Sequence, residues 1–183
     1  MRVEKSFGEK LEKIAIDAGA SGAAVVSSEK VSFRREFRAD CERNSCGRYG
    51  KSWTCPPDVG DIDEMISKAK KYKHMLIFQS IAQLQDSYDI KGMKAAAIAH
   101  SVLTHKVAEK LKDLISQPLA LGAGACLICP SCTKEENVPC RHPDKALVSL
   151  EAYGIDVSKL AAASGLAYIN GKNTVTFFGG VMF

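Results

Sequence analysis

Three cysteines at a strict C-x2-C-x2-C spacing, Cys126, Cys129 and Cys132, with Cys140 following after seven residues, constrain this chain more than any other feature. Each thiolate lies one short turn from the next, so all of them can face inward on one small object. The loop that carries them must wrap that object rather than lie along a helix or cross a sheet. An iron–sulfur cube suits the pattern, because each of its irons takes one thiolate from a different direction. Zinc sites more often use paired C-x2-C knuckles separated by a longer finger, and zinc stands as the alternative. Plainer readings are buried small hydrophobes or a disulfide pair. Just upstream, Leu119, Ala120 and Leu121 read as a buried strand running into Gly122 and Gly124. Glycines there let backbone N–H groups approach a ligand, and N–H to sulfur bonds tune a cluster.

Residues 41–60 form a second unusual segment, rich in turn formers, with Cys41, Cys46 and Cys55 at C-x4-C-x8-C. Pro56 directly follows Cys55, as a proline often follows a ferredoxin cysteine. Trp53, the only tryptophan, and Tyr49 are expected to shield the interior of this loop. The seven cysteines thus divide as four plus three. The four can saturate a [4Fe-4S] cube. The three leave one iron open to a substrate, a small ligand or another residue, with Asp58, Asp40 and His142 as candidates. They can equally hold zinc with one further ligand, or line the surroundings of the first cluster. Cations near both loops, Arg141 and Lys134 in one and Arg43, Arg48 and Lys51 in the other, would offset the negative charge of a thiolate cluster. Arg141 and His142 are expected around the four-cysteine set without ligating it. Arg cannot give up its proton to bind metal but can donate hydrogen bonds to sulfur.

Composition sets the compartment and the size of the core. The chain has 183 residues, 46% of them hydrophobic and 25% charged, enough for one sizeable globular domain. A net charge of +4 is too mild to argue for nucleic acid, and one Trp gives no aromatic–basic ladder. No apolar run approaches the ~20 residues of a membrane helix. The N-terminal residues carry no apolar signal-peptide core. An odd number of cysteines cannot all pair within one chain. The expectation is a cytoplasmic protein, where thiols stay reduced and cysteine clusters mean metal or redox chemistry.

Periodicity places the rest. Residues 4–18 predict a helix closed by Gly19, and residues 23–26 a strand. The alternation of Val31, Phe33, Arg35 and Phe37 predicts a second strand over 31–38. Asp61 and Glu64 stand at capping-box spacing before a helix to about residue 71. Residues 75–81 predict a central strand. A long helix is expected over 89–116, with Ala99, Leu103, Val107, Leu111 and Leu114 buried and His100 and His105 as ordinary helix residues. A short helix is expected from Pro143 to about residue 152, and another over 157–164 between Asp156 and Gly165. Residues 166–169 and 174–178 predict a hairpin, and the last three residues should stay in the sheet. The fold class expected is a single α/β domain spanning 1–183, a sandwich with a mixed, largely antiparallel sheet and a cysteine-rich metal-cluster loop.

Several stretches taken together resemble a known family. They are residues 46–57 (CGRYGKSWTCPP), 122–132 (GAGACLICPSC), 140–143 (CRHP) and 149–157 (SLEAYGIDV). They are similar to a prokaryotic family of predicted metal-binding proteins, a domain of unknown function, and the resemblance covers nearly the whole chain. It implies a small stand-alone cytoplasmic protein of bacteria or archaea. It also implies metal binding through Cys126, Cys129, Cys132 and Cys140, with Cys41, Cys46 and Cys55 as a further matching set. The family carries no established reaction. Three functions compete on the residues alone: a redox protein serving a partner enzyme, an enzyme using the open iron of a three-cysteine cluster, and a zinc-stabilised interaction module. There is no P-loop and no Rossmann glycine pattern to favour a nucleotide.

Overall fold

The computed structural model describes residues 4–183; residues 1–3, part of the N-terminal stretch read above, lie outside it. Five helices are named here: α1 (Lys5–Ala18), α2 (Phe37–Glu42), α3 (Ile62–Ala69), α4 (Ile90–Leu111) and α5 (Val157–Ser164). The strands are β1 (Gly22–Ser27), β2 (His74–Gln83), β3 (Leu119–Gly122), β4 (Val148–Ser149) and β5 (Thr174–Met182). They form one sheet of order β1-β2-β5-β3-β4. Every pairing is antiparallel except the parallel one between β3 and β4. The mixed, largely antiparallel α/β fold is the one expected.

Side-chain alternation along β2 builds a core on each face of the sheet. Leu76 and Phe78 face α1 and α4, where they meet Leu11, Ala15, Leu103, Val107 and Leu111. Met75 and Ile77 face the other way, onto Met65 and Ala69 of α3 and Leu160 and Ala161 of α5. The interior strand β5 runs close against β2. A Cβ at Gly180 would lie 3.1 Å from the Leu76 carbonyl oxygen and closer still to Met75. Caps act as read: Asp61 accepts from the N–H groups of Asp63 and Glu64, Asp156 from that of Lys159, and Gly19 and Gly165 close their helices in the left-handed conformation.

Four expected elements are corrected. Residues 31–38 are no strand. A 3-10 turn at Ser28–Lys30 swings the chain off the sheet edge, only Phe33 makes a bridge, to Ile155, and α2 begins at Phe37. The expected helix over 143–152 is replaced by a turn, β4 and a 3-10 turn at Glu151–Tyr153, because Val148 and Ser149 find partners in Leu121 and Gly122. Residues 166–169 make no hairpin with β5, whose two edges are taken by β2 and β3. The long helix stops at Leu111, with Ile115 buried in a following turn, and its inner stripe runs through His100 and Thr104 while Ala99 is exposed.

Candidate metal centre

The cysteine loop leaves the sheet at the end of β3. Gly124 sits there at φ +63, a conformation that costs glycine little, and it turns the chain outward. The loop then coils through a 3-10 turn, Thr133–Glu136, and returns at Cys140. Cys126, Cys129, Cys132 and Cys140, all half-buried, line one small cavity together with Ile128, Thr133, Arg141, His142 and Ala146. The cavity is small, about 20 Å³. Among the described residues, no three His, Cys, Asp or Glu side chains converge tightly enough to clasp one ion. Burial raises the Cys126 thiol above its ordinary pKa; the Ile128 backbone opposes this, and Cys140, Cys129 and Cys132 push it further up.

Arg141 and His142 both border this cavity. The backbone N–H of His142 donates to Cys140 Sγ at 3.4 Å. Arg141 borders the cavity, but its guanidinium donates to the Ser131 carbonyl at 3.3 Å, tying the returning end of the loop to its middle.

The three remaining cysteines gather separately. Cys41 lies in α2, and Cys46 and Cys55 in the turns that follow. Burial raises the Cys41 thiol; the Arg38 guanidinium opposes this, and Cys46, Glu151 and Asp40 add to the rise. Burial also raises Cys55, against the hydroxyls of Ser52 and Thr54, with Cys46 and Cys41 adding to it. Cys126 thus feels Cys140, Cys129 and Cys132, while Cys41 and Cys55 feel Cys46. Of the three candidates for a further ligand, Asp58 is paired with Lys134, Asp40 with Arg43, and His142 borders the other set.

The two cysteine loops dock on each other, a feature the sequence did not announce. Trp53 Nε1 donates to the Val138 carbonyl at 3.0 Å, and the Cys126 N–H donates to Thr54 Oγ1 at 3.2 Å. Lys134 Nζ lies 4.5 Å from the centre of the Trp53 ring and bonds the Asp58 carboxylate. Trp53 thus faces the neighbouring loop rather than shielding its own. At the seam, an open hollow of about 480 Å³ is lined by Trp53, Asn137, Pro139 and Cys140.

A single α/β domain that presents seven free cysteines in two segments of chain is the architecture of a cysteine-rich metal-binding protein. The chain belongs to the family described as predicted metal-binding protein (DUF2284), whose model matches residues 24–183. No curated protein and no solved structure matches it. The donor chemistry fits the family's description: thiolates are strong ligands for iron–sulfur clusters and for zinc.

Proposed function

We propose that the protein is a cytoplasmic electron carrier holding a [4Fe-4S] cluster on Cys126, Cys129, Cys132 and Cys140, and that it serves a redox partner protein. The carrying observation is that these four cysteines, set at cluster spacing in the sequence, line one common cavity. A bound cluster would supply one-electron chemistry. The chain's part is to hold the four sulfurs, screen them, and present one of them to a partner. Ile128 and Ala146 screen the cavity, and the His142 N–H holds Cys140. Cys140 borders both the inner cavity and the outer hollow beside Trp53, so it offers the short path between the site and a docked protein. On the same reading, Cys41, Cys46 and Cys55 hold a second centre, and any substrate chemistry belongs there.

Zinc is the second reading, favoured by the small volume between the four thiols, closer to the size of one ion than of a cube. One preparation decides between them. Protein purified without oxygen is expected to be brown, to contain iron and acid-labile sulfide, and to bleach in air. Stoichiometric zinc with no sulfide sinks the iron–sulfur reading.

A further inference from the structure

Helix α4 runs for 22 residues and covers the sheet with one face. His100, Leu103, Thr104, Val107 and Leu111 are buried on that face. The opposite face is bare. Lys91, Ala95, Ile98, Val102 and Glu109 are exposed along it, with half-buried His105 before Glu109. Ile98 is 55% exposed and Val102 49%. These positions step by four and three residues in alternation, the spacing at which one helix buries a seam against another.

The two ends of the seam carry opposite charges, Lys91 near the start of α4 and Glu109 near its end. A second copy laid antiparallel, turned end for end about the level of His100, sets Lys91 of each chain against Glu109 of the other. The same turn sets Ile98 against Val102 twice, and small Ala95 opposite larger His105. A parallel copy would set Lys91 against Lys91 and Glu109 against Glu109, so charge selects the antiparallel register. Glu109 is bonded to Lys112, but both side chains are well exposed, and such a pair contributes little and yields to a new one.

We propose that the bare face of α4 is a dimer interface, covered by a second copy of this chain in the antiparallel register. Ile98 and Val102 form its centre, and a Lys91–Glu109 pair closes each end. The apolar centre supplies affinity and the charged ends supply register. An interface one helix wide is small, so the dimer forms reversibly with concentration.

Sedimentation equilibrium of the whole protein, purified without oxygen, reads the association across a concentration series. Wild type is expected to move from the mass of one chain towards twice that mass as concentration rises, and Ile98→Asp to stay at one. Lys91→Glu and Glu109→Lys are each expected to weaken the dimer about tenfold, because each sets like charges together at both ends. The double variant restores opposite charges and is expected to regain wild-type affinity. Circular dichroism of each variant keeps lost association apart from lost folding, and the two charge variants, at exposed positions, carry the test should Ile98→Asp unfold. Wild type that stays at the mass of one chain overturns the proposal. So does a dimer unchanged by Ile98→Asp, which places the contact elsewhere. Unchanged affinity in both single charge variants, or no recovery in the double variant, overturns the antiparallel pairing and the proposal with it.

Discussion

At the scale of single residues, His100 shows how burial reassigns a side chain. It is 1% exposed, its Nδ1 lies 2.8 Å from Ser80 Oγ, and Phe78 and Phe177 flank its ring. Burial lowers its pKa from 6.5 to about 4, so the folded protein holds it neutral. Above pH 6.5 the ring is neutral in both folded and unfolded chains and pH has no effect through it. As pH falls from 6.5 to about 4, the unfolded chain binds a proton that the folded one refuses, and stability drops. The full loss is about 3 kcal/mol, reached near the folded pKa and below. Urea unfolding followed across that range is expected to show the decline, and His100→Gln to flatten it. An equal slope in the variant refutes the assignment to His100. A sequence reader sees only a histidine in a helix, because which helix face meets β2 and β5 is not written locally.

At the scale of elements, the seam between the two cysteine loops is the feature with most consequence. The Lys134 and Asp58 side chains are only 18% and 16% exposed, and the second Asp58 oxygen is buried with no hydrogen-bond partner. Lys134→Met removes the one cation paired with that carboxylate among the described residues, and also the cation over Trp53. A cost of about 1–3 kcal/mol is expected, since a nearly buried charge is left alone. Trp53 is the only tryptophan and sits at the seam, so its fluorescence reports the separation of the loops. The variant is expected to show a red-shifted emission and a lower urea midpoint. Unchanged emission with an unchanged midpoint rules out a seam held by this pair.

At the scale of the whole molecule, the two cysteine sets hang on different parts of one fold. The four-cysteine loop joins β3 to β4 at one edge of the sheet. The three-cysteine segment joins α2 to α3 and leans on the Glu151–Tyr153 turn. Cys129→Ser is expected to lose one whole centre and to loosen the β3–β4 edge. Cys46→Ser, at an exposed position, is expected to remove the other centre while leaving the spectrum of the first in place. Iron counts and resonance spectra of the reduced variants decide this. Full wild-type iron and an unchanged spectrum in Cys46→Ser mean that the three cysteines are spare thiols.

The sequence alone determined the features whose cause is local. The C-x2-C-x2-C-x7-C array is legible because a short chain between thiolates leaves few ways to arrange them. The helices capped by Asp61 and Asp156 are legible because a cap is a bond between near neighbours. The tertiary structure decided what depends on distant partners. Residues 31–38 alternate like a strand, but the edge they would have joined is left behind by the turn at Ser28–Lys30. Residues 143–152 begin like a helix, but β3 offers two of them a parallel partner. Thr54 meets Cys126 across 72 positions and Trp53 meets Val138 across 85. No local pattern encodes such pairs, since their free energy comes from the packing of the whole sheet and not from any one stretch of chain.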